Sequence, residues 1–118
     1  MFQYYGFRQP VAPLGTINYI IQPGDTLGRI ARNFNTTVEN ILKFNYIPNP
    51  NLIYAGRTLV IPESPAEAII YTVQPGDTVY SIALRFRTYV NNIVVFNYLT
   101  NPDLIYPGQQ LVVTASLE

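Results

Sequence analysis

The sequence contains no cysteine and no histidine, and these two absences exclude several classes of site. Without cysteine there is no disulfide framework, and without either residue there is no zinc site built from the usual ligands. A Ser-His-Asp triad and a Cys-His nucleophile are excluded for the same reason. Any function of this chain therefore depends on other side chains and on the backbone.

Charge is scarce as well. Only 12% of the 118 residues are charged, the formal net charge is zero, and Lys43 is the only lysine. The chain has no run of like charges that would attract nucleic acid or an anionic membrane surface. No window holds the roughly 18 apolar residues of a membrane span, and residues 1–8 lack the pattern of a signal peptide. We therefore expect no nucleic-acid partner, no membrane partner and no cofactor.

The dominant signal in the sequence is an internal repeat with an offset of 52 residues. The segment 22–26, Gln-Pro-Gly-Asp-Thr, recurs unchanged at 74–78. Residues 19–61 align with residues 71–113 without a gap, and 24 of these 43 positions are identical. The chain is therefore predicted to contain two copies of one small unit.

Each copy has the pattern of a strand, two helices and a second strand. Residues 17–22 and 69–74 are rich in β-branched and aromatic side chains and end at Pro-Gly, which indicates a strand followed by a turn. Apolar residues then recur at helical spacing, in the first copy at Leu27, Ile30, Ala31 and Phe34 and again at Val38, Ile41 and Leu42. We predict an α+β fold of two consecutive βααβ units, each a two-stranded antiparallel sheet with both helices on one face.

The repeat also predicts the boundaries of the units. These are an N-terminal extension at 1–16, a first unit at 17–62, a linker at 63–68, a second unit at 69–114 and a C-terminal tail at 115–118. Because the linker is short, we expect the two units to touch or to be held within a limited range of angles.

Several residues have predicted roles at helix ends. The Asp-Thr pairs at 25–26 and 77–78 are N-cap candidates, and capping is the expected main role of the two aspartates. Thr36 with Glu39 fits a capping box at the start of the second helix. Asn45 and its copy 52 residues further on are expected to close a loop onto the end of that helix.

The order of residues at both ends of each unit resembles the lysin motif (LysM) family. In the second copy this order is Tyr-x-Val-Gln-Pro-Gly-Asp-Thr, then Ile-Ala and Phe, and finally Asn-Pro-Asp-Leu-Ile-Tyr-Pro-Gly-Gln-Gln-Leu. The first copy departs from the pattern at Ile20, Gly28, Asn51, Ala55 and Arg57. The resemblance implies a βααβ fold that binds glycans containing N-acetylglucosamine, such as peptidoglycan or chitin oligomers.

The resemblance also implies a shallow sugar-binding groove in each unit. One wall is the loop between the first strand and the first helix, and the other is the loop between the second helix and the last strand. Carried over to this chain, the first groove has Gly24, Asp25, Thr26 and Leu27 against Asn51, Leu52, Ile53 and Tyr54. The second has Gly76, Asp77, Thr78 and Val79 against Asp103, Leu104, Ile105 and Tyr106. A tyrosine ring suits the apolar face of a pyranose and leaves its hydroxyl for a hydrogen bond.

Alternative roles stay open for some of these residues. Leu52 and Ile53, like their copies Leu104 and Ile105, would equally suit a hydrophobic core. Tyr46 and Tyr98 suit sugar contact or packing. The chain could also be a structural or assembly protein of a bacterial cell or spore envelope, acting through an envelope protein partner or self-association. Either function predicts association with a cell wall or spore envelope.

An enzymatic function is not expected. A glycosidase needs two carboxylates facing a deep cleft. Of the seven acidic residues, only Asp25 and Asp77 occupy equivalent positions in the two copies, which provides one per unit. We therefore predict no catalytic residues and no metal ligands.

Overall fold

The structure is a computed structural model that describes residues 14–114. Within this range the elements are β1 (Thr16–Ile20), α1 (Leu27–Asn33), α2 (Val38–Phe44), β2 (Thr58–Pro62), β3 (Ile69–Thr72), α3 (Val79–Phe86), α4 (Val90–Phe96) and β4 (Gln110–Val113). The order β-α-α-β occurs twice, which confirms the predicted α+β fold. Most of the expected N-terminal extension and the C-terminal tail lie outside the described residues.

Each unit is built on one two-stranded antiparallel sheet. β1 pairs with β2, with Thr16 opposite Pro62. β3 pairs with β4 in the same way, with Ile69 opposite Val113. Within residues 14–114 these two sheets share no strand, so each unit has a sheet of its own.

Each unit also has its own hydrophobic core between the sheet and the helices. In the first unit Ile30 and Ile41, one from each helix, are fully buried. Ile82 and Ile93 occupy the same positions in the second unit. Burial of one such side chain stabilises the fold by about 1.5–3 kcal/mol. The helical spacing of apolar residues in the sequence predicted all four positions.

Threonine side chains cap three of the four helices in the described range. Thr26, Thr37 and Thr78 each accept a hydrogen bond from the backbone N–H three residues further on, at 3.1, 3.0 and 2.9 Å. The predicted capping role of Asp25 and Asp77 is therefore wrong, since the threonine that follows each aspartate caps the helix instead.

The predicted capping box of Thr36 and Glu39 is wrong by one residue, because α2 begins after Thr37. The cause lies at the end of α1. Asn35 has a positive φ of 55°, and the N–H of Thr36 donates to the carbonyl of Ala31 at 2.9 Å. This is a Schellman closure of the preceding helix. Thr36 completes α1, and the next residue is left to begin α2.

One asparagine in each unit ties the end of the second helix to the last strand. Asn97 Nδ2 donates to the carbonyls of Ile93 and Val112, at 2.8 Å each, and its Oδ1 accepts from the N–H of Val112 at 2.7 Å. Asn45 makes the same three bonds in the first unit. We call this arrangement the asparagine clamp, and it confirms the predicted structural role of both residues. Asn97 is only 1% exposed, whereas Asn45 is half-buried.

The two units contact each other through α2 of the first and the end of α4 in the second. Lys43 Nζ donates to the carbonyl of Asn97 at 2.6 Å, and Asn40 Nδ2 donates to the carbonyl of Phe96 at 2.9 Å. The expectation that a short linker brings the units into contact is confirmed.

Candidate functional site

Two loops of the first unit lie next to each other at one end of its sheet. We call residues 22–27, between β1 and α1, the turn rim, and residues 49–54, between α2 and β2, the tyrosine rim. At their bases, the N–H of Ile21 donates to the carbonyl of Arg57 at 2.9 Å, and the N–H of Gly56 donates back to the carbonyl of Ile21 at 2.8 Å. These bonds extend the sheet beyond β1 and β2 and hold the two loops together.

The second unit repeats this arrangement with a turn rim at 74–79 and a tyrosine rim at 101–106. The N–H of Val73 donates to the carbonyl of Gln109, and the N–H of Gly108 donates to the carbonyl of Val73, both at 2.8 Å. We refer to the surface between the rims as groove 1 in the first unit and groove 2 in the second.

The turn rim begins with a tight turn at Pro-Gly. The N–H of Asp25 donates to the carbonyl of Gln22 at 3.0 Å, and Gly24 has a φ of 89°. Proline at the second position and glycine with positive φ at the third are typical of a type II turn. Gly76 has the same φ in the second unit. The turn geometry therefore explains why glycine occurs at both positions.

The carboxylate of Asp25 is bound within this turn. Its Oδ2 accepts from the hydroxyl of Tyr19 at 2.6 Å and from the N–H of Gln22 at 2.8 Å. The tyrosine bond first, and the amide bond second, lower the pKa of Asp25 below its ordinary value. The same bond raises the pKa of Tyr19. The carboxylate stays ionised and anchors the turn to strand β1.

The second unit has the same anchor and adds an arginine. The hydroxyl of Tyr71 and the N–H of Gln74 donate to Asp77 Oδ2 at 2.5 and 2.8 Å. Arg85 donates to Asp77 Oδ1 at 3.2 Å and to the hydroxyl of Tyr71 at 2.6 Å. The pKa of Asp77 is lowered mainly by the hydrogen bond from Tyr71, and further by the N–H of Gln74 and the guanidinium of Arg85. The equivalent of Arg85 in the first unit is Asn33, which cannot form this ion pair.

The tyrosine rim of groove 1 presents apolar side chains to solvent. Asn49 shapes its start, because its carbonyl accepts from the N–H of Leu52 at 2.9 Å and its Oδ1 accepts from the N–H of Asn51 at 3.0 Å. Leu52 and Tyr54 are 54% and 55% exposed, whereas Ile53 between them packs partly against the core. The rim therefore points alternate side chains inward and outward.

Groove 2 has the same pattern. Leu104 and Tyr106 are 53% and 58% exposed, and Ile105 packs partly against the second core. The N–H of Asp103 donates to Asn101 Oδ1 at 3.0 Å. In both rims, therefore, the leucine is a surface residue, whereas the isoleucine packs against the core.

Besides the two aspartates, four more of the predicted site residues have side chains that are already engaged. Leu27 and Val79 are buried in the two cores. Thr26 and Thr78 use their hydroxyl oxygens as N-cap acceptors. At these positions the backbone, rather than the side chain, is the main group left for a ligand.

The structure also assigns a role to two residues that the sequence patterns did not single out. Tyr19 and Tyr71 bind the aspartates of the turn rims. The available signal was a tyrosine six residues before the aspartate in both copies.

Tyr46 and Tyr98 differ although their positions are equivalent. Tyr46 is 93% exposed, whereas the ring of Tyr98 packs against Phe44.

A separate shallow depression lies at the other end of the first sheet. It has a volume of about 130 Å³ and is lined by Ile17, Phe34, Ile61, Pro62, Glu63 and Ser64.

Across residues 14–114, no helix has the length and hydropathy needed to cross a membrane. Within the same range, no three His, Cys, Asp or Glu residues are grouped as metal ligands.

The sequence model of the LysM domain family matches this chain twice, at residues 19–62 and 71–114. Each match begins at the tyrosine that anchors a turn rim and extends beyond the tyrosine rim to the last strand. The two matches together cover most of the chain.

Three curated proteins illustrate the range of relatives. The chain is 34% identical over 119 residues to the secreted LysM effector ECP6 of Passalora fulva, an alignment covering 82% of this chain and 52% of that protein. It is 37% identical over 98 residues to the endolysin of Bacillus phage PZA, covering 81% and 37%. It is 34% identical over 114 residues to the N-acetylmuramoyl-L-alanine amidase sle1 of Staphylococcus aureus strain MRSA252, covering 83% and 34%. The chain thus spans about half of the first relative's length and less than half of each of the others.

Two solved structures are also similar. The spore cortex-lytic enzyme SleL of Bacillus megaterium QM B1551 is 27% identical, with a TM-score of 0.44 over 86% of this chain and 23% of that one. The MoCVNH3 variant Mo0v, solved in complex with (N-GlcNAc)4, is 33% identical, with a TM-score of 0.40 over 52% of this chain and 48% of that one.

Proposed function

Because this chain belongs to the LysM domain family, we propose that it is a non-catalytic carbohydrate-binding protein whose two grooves recognise glycans containing N-acetylglucosamine. Peptidoglycan and chitin oligomers are the two ligand classes. The relative named N-acetylmuramoyl-L-alanine amidase supports a bacterial cell-wall polymer as one of them. Association with a cell wall follows from this function.

The observation that carries the proposal is the duplicated pair of exposed apolar side chains on the tyrosine rims. Leu52 and Tyr54 in groove 1, and Leu104 and Tyr106 in groove 2, are all more than half exposed. A unit of some 45 residues needs most of its apolar side chains for its core. The leucine and the tyrosine stay exposed in both copies, and in both they lie beside an anchored turn. This arrangement is expected of a ligand-binding surface.

The chemistry of the grooves suits an N-acetyl sugar. Its acetamido group has one donor, one acceptor and a methyl group. The backbone of the turn rim offers N–H and C=O groups to the first two, and the leucine of the tyrosine rim offers an apolar contact to the methyl. The tyrosine ring suits the apolar face of the pyranose.

Binding at one groove is expected to be weak. Each hydrogen bond contributes only about 0.5–1.5 kcal/mol net, because it replaces a bond to water. Two grooves on one chain raise the overall affinity for a long glycan, since the second contact forms at a high effective concentration.

The state of the two repeated carboxylates supports a function without catalysis. Hydrolysis of a glycosidic bond requires a pair of carboxyl groups, one of which is held protonated by a raised pKa. The pKa values of Asp25 and Asp77 are instead lowered by the tyrosines that bind them. Both carboxylates are therefore structural anchors of the turn rims.

The proposal is tested by an NMR titration of the full chain with a linear N-acetylglucosamine tetramer. We expect amide shifts on both rims and a loss of affinity at groove 2 in Tyr106→Ala, with the fold intact because that side chain is largely exposed. The matched control is Tyr89→Ala, which removes a tyrosine in the connection between α3 and α4, outside both rims. Unchanged affinity in a folded Tyr106→Ala would refute the assignment of the rim.

A pull-down separates glycan binding from the alternative of envelope assembly. Retention on insoluble peptidoglycan or chitin, competed by N-acetylglucosamine oligomers, supports the proposed function. Retention by an envelope protein alone, with none on either polymer, would favour assembly through protein contacts.

A further inference from the structure

The tripeptide Phe-Asn-Tyr ends the second helix in both units but has two different backbone conformations. In the first unit the chain leaves the helix at Asn45, which is extended with φ −140° and ψ 139°. In the second unit Asn97 has φ −119° and ψ 5°, and Tyr98 follows with a positive φ of 54°. Left-handed backbone is unfavourable for a tyrosine. Since the three residues are identical, the difference arises from the residues that flank or contact them. The flanking residues include Pro48 in the first unit and Thr100 in the second.

The side chains that bind the second tripeptide come from the first unit. Asn40 Nδ2 donates to the carbonyl of Phe96 at 2.9 Å, and Lys43 Nζ donates to the carbonyls of Asn97 and Tyr98 at 2.6 and 3.3 Å. Carbonyls at the end of a helix have no partner within the helix. Three successive carbonyls at the end of α4 are thus bound by side chains from α2.

The ring of Tyr98 is held by the first unit as well. It packs edge-on against Phe44, with ring centroids 4.9 Å apart and an interplanar angle of 75°. Burial raises the pKa of Tyr98, and its hydroxyl has no hydrogen-bond partner within the described residues. The position of this ring is therefore determined by packing against the first unit rather than by a bond to its hydroxyl.

The second unit has no counterpart of the lysine contact. The residue equivalent to Lys43 in the second unit is Val95, which has no donor to offer. The burial of Lys43 lowers its pKa, partly opposed by the carboxylate of Glu39. The ammonium group therefore gives up part of its hydration where it binds α4, and the carbonyl oxygens replace the lost water.

The end of α4 leads directly into the tyrosine rim of groove 2. The N–H of Leu99 donates to the carbonyl of Val94 at 3.0 Å, and Asn101 begins the turn that presents Leu104. Only two residues separate Tyr98 from Asn101. The direction in which the chain leaves α4 therefore determines where this rim starts.

We propose that Lys43 is a positioning residue for groove 2: together with the rest of α2, it holds residues 96–98 in the conformation from which the second tyrosine rim meets its glycan. The part of this inference that concerns glycan affinity rests on the proposed function. The part that concerns the conformation of Tyr98 does not.

The test compares the full-length wild type with Lys43→Met, which keeps the length of the side chain and removes its donors. The matched control is Arg32→Met, which removes a cation from the exposed last turn of α1. NMR reports the scalar coupling that measures φ of Tyr98 and the ring contact with Phe44. Titration with the N-acetylglucosamine tetramer reports the affinity of each groove separately.

We expect Lys43→Met to move Tyr98 out of the left-handed region, to a negative φ like that of its equivalent Tyr46, and to weaken groove 2 by roughly twofold to thirtyfold. Groove 1 should keep its affinity and its amide shifts, which shows that the first unit is folded. Lys43→Arg retains the donors and should restore most of the affinity. Arg32→Met should change neither groove.

Two outcomes would overturn the inference. One is a Lys43→Met protein with unchanged coupling at Tyr98 and unchanged affinity at groove 2. The other is an equal loss at both grooves, which would indicate general destabilisation. If the wild type binds no tetramer at all, the proposed function fails, and the coupling at Tyr98 alone still decides whether the first unit sets this conformation.

Discussion

Replacing Asn97 with alanine should unfold the second unit. The substitution removes all three bonds of the asparagine clamp and leaves two carbonyls and one N–H, on Ile93 and Val112, without partners. Both residues are fully buried, so water cannot easily take over these bonds. A buried polar group without a partner costs about 1–3 kcal/mol, which places the total loss for the three groups at about 3–9 kcal/mol.

That loss is as large as the expected stability of the unit. Globular domains are stable by roughly 0.05–0.15 kcal/mol per residue, which corresponds to about 2–7 kcal/mol for a unit of some 45 residues. Urea unfolding followed by the amide signals of each unit measures the effect separately in the two halves of the chain. We expect the second unit of Asn97→Ala to be largely unfolded without denaturant.

The first unit provides the matched control. Asn45→Ala removes the same three bonds, but Asn45 is only half-buried, so water can reach the freed groups. We expect this variant to lose only about 1–3 kcal/mol of unfolding free energy. If Asn97→Ala costs less than about 1 kcal/mol, or if Asn45→Ala costs more than Asn97→Ala, the argument from buried unpaired groups is refuted.

Two further predictions concern stability. The pKa of Asp77 is lowered in the folded state, so its contribution is fully present above the ordinary value of 3.8 and is lost as the pH falls through the lowered value. Asp77→Asn should therefore flatten the acid limb of a plot of unfolding free energy against pH, and an unchanged acid limb would contradict the assigned anchor. Thr36 is buried, and its hydroxyl has no partner within residues 14–114, so Thr36→Val should stabilise the first unit by about 1 kcal/mol in urea unfolding. A loss of stability in that variant would show that the hydroxyl is bonded.

The fold could be predicted from the sequence because its signals are local and occur twice. The spacing of Ile30 and Ile41 identified the buried face of each helix in the first unit. The Pro-Gly pairs identified the turns that follow the first strands, and Gly24 has the positive φ that such a turn requires. Duplication then allowed each assignment to be checked against its copy.

The roles that could not be predicted depend on residues distant in sequence. Asp25 and Thr26 are both good helix caps, and the choice between them is made by Tyr19, which binds the aspartate from the preceding strand. The Phe-Asn-Tyr tripeptide is a stronger case. The tripeptide itself does not distinguish Tyr46 from Tyr98, and the contact of Tyr98 with Phe44 depends on the packing of one unit on the other.

The place of the single lysine has a practical consequence for anyone who immobilises or labels this protein. Amine-directed reagents can react with only one side chain, and that side chain bridges to the carbonyl of Asn97 in the neighbouring unit. A dye, resin or sensor surface attached there would remove the Lys43 contact between the two units that a binding experiment sets out to compare. Attachment through a chain terminus leaves that junction intact.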